Sequence, residues 1–339
     1  MDALLTFLST VLGQFQSATL GFLLGGLLLA ALGSRLKIPD AISQFVVFML
    51  LMAIGLEGGM AIREADLIAM LIPLASAMLI GVIIVLLGTV TLARLPQVKK
   101  ADALATAGLF GAVSASTMAA GMVMLEEEGI PFEAWVPALY PFMDIPALIL
   151  AIVLAGMYAH RTKKNDSETD ELSAGMIIKE TLQGPALSAM LLGIALGLFA
   201  HPEQVFEDFY DQLFRGLLSV LMLIMGMEAY ARLGELRQAG HWYILYAAVA
   251  PIVHGCIGFG LGYLAHVFTG FSPGGVILLA IIAASNSDIS GPPTLRAGIP
   301  KANPSAYIGA STGIGTPIAI ALCIPLFIGL AGIVFDINA

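Results

Sequence analysis

Leu51-Met-Ala-Ile-Gly-Leu-Glu57 and Met222-Leu-Ile-Met-Gly-Met-Glu228 are one phrase written twice. Gly55 and Glu57 fall on Gly226 and Glu228, an offset of 171 residues. The same offset carries Met143-Asp-Ile-Pro-Ala-Leu-Ile-Leu-Ala-Ile152 onto Ile314-Gly-Thr-Pro-Ile-Ala-Ile-Ala-Leu-Cys323, with Pro146 on Pro317. It also carries Ala112-Val-Ser-Ala-Ser116 onto Ala283-Ala-Ser-Asn-Ser287, serine on serine. Gln16 falls on Gln183 with a slip of four residues. Apolar sequence gives chance matches easily, but one offset at three separated places marks an internal repeat.

Around these phrases the chain is 58% apolar and only 12% charged over 339 residues. A soluble protein carries about 25% charged residues, so lipid must cover much of this surface. The net charge of −9 and the lack of a basic stripe exclude a nucleic-acid partner. Cys256 and Cys323 lack ligand spacing and read as buried small hydrophobes. Asp2 argues against a secretory signal, and residues 1–15 read as an amphipathic segment at the membrane interface.

Ten apolar segments can cross a bilayer: 17–33, 41–57, 68–92, 102–124, 133–159, 180–200, 209–230, 241–266, 273–298 and 304–334. With the N-terminus outside, the inner loops hold Arg35, Lys37, Arg94, Lys99, Lys100, Arg161, Lys163, Lys164, Lys179, Arg232, Arg237, Arg296 and Lys301. The outer loops hold only Arg63 and Arg215, so 13 of the 15 basic residues are cytoplasmic. Both termini are then outside. The expected fold is an all-α polytopic membrane protein with two five-helix repeats, 1–160 and 177–339, and a cytoplasmic linker, 161–176. Five spans is an odd number, so the second repeat enters from the opposite side, as in secondary transporters.

Sites in such folds form where helices break near the midplane. The fourth span holds Ser114-Ala-Ser-Thr117, and the ninth holds Ser285-Asn-Ser-Asp-Ile-Ser-Gly-Pro-Pro-Thr294. They are repeat equivalents, and Pro292 and Pro293 cannot continue helical hydrogen bonding. A half-helix start favours an anion and a broken carbonyl end favours a cation. The hydroxyls of Ser114, Ser116, Thr117, Ser285, Ser287 and Ser290 can serve either, and Asn286 both. The plainer alternative is that each hydroxyl bonds back to its own helix or lines a close helix contact.

Asp144 and Asp288 lie deep in spans with no basic residue at that depth. An ionised carboxylate there costs several kcal/mol unless paired, so sodium is the natural partner; a protonated Asp or a proton relay is the alternative. Glu57 and Glu228 sit near span ends, either solvated or bonded to a helix terminus. The Gly21-xxx-Gly25, Gly193-xxx-Gly197 and Gly258-xxx-Gly262 spacings read as close helix packing, and Met222–Met227 as packing. His254 reads as an interior histidine with its hydrogen bonds met.

No zinc motif or phosphate loop is present, so neither a metalloenzyme nor an ATP-driven pump is indicated. Two membrane aspartates could suggest an aspartyl protease, but Asp144 matches Gly315 and Asp288 matches Thr117, which fits a transport site better. A sodium–proton antiporter, a sodium symporter of another small anion, and a docking platform for a signalling protein remain as rivals.

At these motifs the chain resembles the SbtA-type sodium-dependent bicarbonate transporters of cyanobacteria. The resemblance covers nearly the whole chain. It is strongest in Gly108-Leu-Phe-Gly-Ala-Val-Ser, Ala138-Leu-Tyr-Pro-Phe-Met-Asp-Ile-Pro-Ala147, Gln183-Gly-Pro-Ala-Leu-Ser-Ala-Met-Leu-Leu192, Asp288-Ile-Ser-Gly-Pro-Pro-Thr-Leu-Arg-Ala-Gly-Ile-Pro300 and Asn303-Pro-Ser-Ala-Tyr-Ile-Gly309. It implies high-affinity bicarbonate uptake with sodium for a CO2-concentrating mechanism, no organic cofactor, and a plasma-membrane homotrimer. It further implies a core domain moving like an elevator against a scaffold, a site where the crossing fourth and ninth spans meet, and a PII-like regulator, SbtB, on the cytoplasmic face. The linker Arg161–Gly175 is shorter than in relatives, which bears on any regulation through that segment. On this footing Ser114, Ser116, Thr117, Ser285 and Ser287 are expected to hold bicarbonate, and Asp144, Asp288, Asn286 and Thr316 sodium.

Overall fold

The structure, a computed structural model, describes residue 13 and residues 16–162 and 174–337. Most of the expected interfacial segment 1–15 and of the linker 161–176 lies outside the described residues. Among the described residues every regular element is helical. The principal helices are α1 Ala18–Ala31, α2 Asp40–Glu64, α3 Leu67–Val90, α4 Lys100–Gly111, α5 Ala115–Glu127 and α6 Tyr140–Thr162. They continue with α7 Ala174–Leu182, α8 Pro185–Phe199, α9 Gln212–Ala239, α10 His241–Thr269, α11 Pro273–Ala284, α12 Gly291–Gly298 and α13 Pro304–Val334.

Among the described residues, seven helical stretches are long and apolar enough to cross a membrane, and α1, α8 and α11 are shorter apolar helices. Three predicted spans are divided, the first being residues 102–124, between Gly111 and Ala115. Residues 180–200 split at Gly184, where Pro185 opens α8, and residues 273–298 split at Ser285. Pro292 and Pro293 do not make that last break. They lie in the first turn of α12, where a missing N–H leaves no helical bond unmade.

Glu57 and Glu228 are not near helix ends, because α2 runs on to Glu64 and α9 to Ala239. The helices outlast their apolar stretches, and the apolar stretch alone had set the expected ends. Cys323 is buried as expected, whereas Cys256 is exposed on the outer flank of α10, where an apolar thiol can face lipid.

Glycines set the closest crossings. At α2 against α8, a Cβ on Gly193 would lie 2.8 Å from Met52 O and 2.9 Å from the Gly55 Cα. At α1 against α9, a Cβ on Gly226 would collide with Leu23 O and meet Leu27 N at 2.7 Å. Gly226 is the repeat equivalent of Gly55. Gly258 and Gly262 of α10 similarly meet Ala283 and Val276 of α11. The Gly21-xxx-Gly25 expectation fails, since neither glycine has a neighbour within 4 Å of its Cβ position. Gly26, one residue on and about 100° round the helix, is the one that meets Leu223. The methionines do pack: Met222 and Met225 are buried.

Phe22, Leu28, Phe45, Leu71, Phe199 and Phe268 face outward. Residues 274–284 of α11, and the apolar stretch of α4 with α5, are instead buried on every side. A helix that is apolar all round belongs in the centre of a bundle, and these central helices carry the two breaks.

Candidate functional site

The first break follows Gly111, where Ala112 turns extended and Ser114 caps α5, its side chain accepting from Thr117 N at 3.2 Å. The second follows Ala284, where Ser285 turns extended. The two breaks meet. Ser114 N donates to Ser285 Oγ at 3.1 Å, and Ser287 N donates to Leu109 O at 2.8 Å. Ser114 and Ser285 are repeat equivalents. The Ser285 hydroxyl donates in turn to Ile282 O at 2.7 Å, so part of the plainer alternative holds for this serine.

Asp288 closes the start of α5. Ser116 Oγ donates to Asp288 Oδ2 at 2.8 Å and Ser114 Oγ at 3.3 Å, with the two serine oxygens 2.8 Å apart. Asp288 is half-buried, while Ser114, Ser116, Thr117, Ser285, Asn286 and Ser287 are fully buried. Asp144, on α6, is also fully buried, and its Oδ1 accepts from Val113 N at 2.9 Å. That N–H is one the first break releases, so the carboxylate compensates the broken backbone.

The second half solves the same problem in reverse. At the position matching Asp144 stands Gly315, whose Cβ would lie 2.8 Å from Asn286 Nδ2 and 2.8 Å from Phe110 Cζ. Here the polar side chain rises from the break: Asn286 Oδ1 accepts from Thr316 Oγ1 at 3.0 Å and lies 2.8 Å from Ser311 Oγ. Thr316 and Pro317 lie between two π-helical turns, Ser311–Gly315 and Ala319–Cys323. Such turns let the rod bend around an inserted group.

All nine residues expected in the site lie on the two breaks or on the helices touching them. Three were not on that roster. Ser311 donates to the second break, with Ser287 O also 2.8 Å away. Tyr140 Oη lies 3.0 Å from Ser290 Oγ, which lies 2.9 Å from Ser287 Oγ. Thr312 Oγ1, Thr117 Oγ1, Asp144 Oδ2 and Asn286 Nδ2 are buried polar atoms with no hydrogen-bond partner. Thr117 and Asn286 belong to the two breaks and Asp144 bonds the first, and buried polar atoms left open there suit a polar cargo. His254 is interior as expected, against Phe110 and Tyr246, but its Nδ1 has no hydrogen-bond partner.

An all-helical bundle with an apolar exterior and two buried, hydroxyl-rich helix breaks defines a polytopic membrane transporter. The chain belongs to the Na+-dependent bicarbonate transporter superfamily, whose family model matches residues 18–332. No curated protein matches it. Membership makes bicarbonate and sodium its ions, with sodium as the coupling ion.

Proposed function

We propose that this protein is a high-affinity sodium–bicarbonate symporter serving a CO2-concentrating mechanism, with its cargo held between the two breaks. The observation that carries this reading is the bond from Ser114 N to Ser285 Oγ, joining equivalent residues of the two halves beside Asp288.

Bicarbonate takes donors from Ser114, Ser116, Thr117 and Ser287, and from Ser285 once its proton turns from Ile282 O. Sodium takes oxygens from Asp144, Asp288, Asn286 and Thr316. The geometry supplies a reason for coupling. Ser114 and Ser116 now donate to Asp288. Sodium on Asp288 releases those hydroxyls to the anion, and the anion adds a negative charge that steadies the sodium. An inside-negative membrane opposes a lone anion by about 2.3 kcal/mol per 100 mV, and one sodium per bicarbonate cancels that term.

Asn286 fits a cation once its amide is turned. Ser311 has one proton and two acceptors in reach, Asn286 Oδ1 and Ser287 O. If Nδ2 donates to Ser311 and Thr316, Ser311 can donate to Ser287 O, and Oδ1 becomes a free ligand.

Ten spans in two inverted repeats, 1–160 and 177–339 joined by the linker 161–176, are supported by the paired glycine crossings of α2–α8 and α1–α9. Those four helices make the scaffold, and the rest make an elevator core. The proposed orientation, termini outside and plasma membrane around, also agrees with three polar contacts between helix ends or loops assigned to one side. Outside, Arg63 pairs with Glu203, and Arg215 with Glu126 at 2.9 Å. Inside, Asn303 N donates to Asp102 at 2.8 Å. A homotrimer and the PII-like regulator SbtB follow from the resemblance alone.

The test is uptake of radiolabelled bicarbonate into proteoliposomes with and without an inward sodium gradient. Accumulation only with sodium is expected. Equal uptake without sodium, or a vesicle pH change on adding sodium without bicarbonate, would replace symport with another mechanism.

A further inference from the structure

Tyr140 belongs to none of the functions above, yet it is fully buried and bonded to the second break. It sits one helical turn before Asp144, so the two share a face of α6. Asp144 holds the first break through Val113 N, and Tyr140 reaches the second through Ser290. One rigid helix braces both.

The hydrogen-bond arithmetic gives Tyr140 a direction. Tyr140, Ser290 and Ser287 form a chain of three hydroxyls with two links, 3.0 and 2.9 Å long. Three O–H protons and two links leave one proton over. Ser287 Oγ also accepts from Gly291 N at 2.8 Å. A phenol donates more strongly and accepts more weakly than an aliphatic hydroxyl, so Tyr140 donates to Ser290. Ser290 then donates to Ser287, which has both lone pairs filled and its own proton unspent. That proton is delivered into the break, at a position where only an acceptor can use it. Without the phenol, Ser287 can turn its proton back onto Ser290.

The contrast with the other break is chemical. The hydroxyls of Ser114 and Ser116 are already spent on a carboxylate, while the chain ending at Ser287 has a donor to spare. We propose that Tyr140 is a positioning residue for the anion, orienting the Ser290–Ser287 hydroxyl chain so that Ser287 donates to bicarbonate. This inference deepens the symport reading and rests on it.

The experiment is bicarbonate uptake by the full-length protein in proteoliposomes, comparing wild type with Tyr140→Phe, Ser290→Ala and the double variant. A donor to a charged ligand that loses its orientation weakens binding by about tenfold. The KM for bicarbonate is therefore expected to rise about tenfold in each single variant. The double variant should be no worse than either single one, because both cut the same chain. Half-saturating sodium, measured at saturating bicarbonate, should stay within about twofold in each variant. An unchanged bicarbonate KM in Tyr140→Phe, or multiplied effects in the double variant, would overturn the proposal. Should Tyr140→Phe fail to reach the membrane, Ser290→Ala alone decides by the same KM criterion. Wild-type protein that shows no sodium-driven uptake would refute the symport reading itself, an outcome distinct from equal KM values in working proteins.

Discussion

Replacing Asp144 by Asn separates the charge of this side chain from its structural bond. Oδ1 holds Val113 N at 2.9 Å, and an amide oxygen can keep that bond. Oδ2 has no hydrogen-bond partner and is the atom offered to sodium. A unit charge pair at 4 Å is worth about 4 kcal/mol at an effective dielectric constant of 20. Desolvating the carboxylate offsets part of this, leaving about 2 kcal/mol, or a roughly 30-fold rise in half-saturating sodium. Asp144→Ala should show the same rise and also lose about 1–3 kcal/mol of stability, because Val113 N is then buried without an acceptor. Sodium-dependent bicarbonate uptake in proteoliposomes gives the first quantity and thermal unfolding in detergent the second. A sodium curve for Asp144→Asn that overlies wild type would remove Asp144 from the cation site.

Gly315→Ala places a methyl 2.8 Å from both Asn286 Nδ2 and Phe110 Cζ, and is expected to abolish most uptake while membrane levels stay near wild type. Gly193→Ala, against Met52 O at 2.8 Å, should cost about 1–3 kcal/mol in thermal unfolding, whereas Gly21→Ala, in open space, should be neutral within about 0.5 kcal/mol. Ser116→Ala removes a hydroxyl that sodium on Asp288 would release to the anion and should raise half-saturating bicarbonate in uptake, while half-saturating sodium at saturating bicarbonate should not rise.

The sequence made the repeat legible because its strongest matches are places where chemistry allows few substitutes. Gly55 and Gly226 stand where helix backbones touch, and no larger residue fits. The breaks were legible because Ser-x-Ser interrupts otherwise apolar runs and one serine in each must cap or bridge freed backbone. Helix ends were not legible, since α2 and α9 continue through charged residues past their apolar stretches. The face of α1 was misassigned for a geometric reason: Gly25 and Gly26 are neighbours in sequence but point about 100° apart. Tyr140 and Ser311 escaped because each lies in a helix that reads as regular, and their roles come from partners 150 and 24 residues away. The π turns around Thr316 have no sequence signature of their own. The exchange of Asp144 and Ala115 for Gly315 and Asn286 becomes visible only when the two halves are laid on each other.

The most direct test follows radiolabelled sodium and radiolabelled bicarbonate into the same proteoliposomes while each ion is withheld in turn. A single site between the two breaks predicts that neither ion enters without the other. Sodium entering alone, or bicarbonate accumulating with no sodium present, would contradict it.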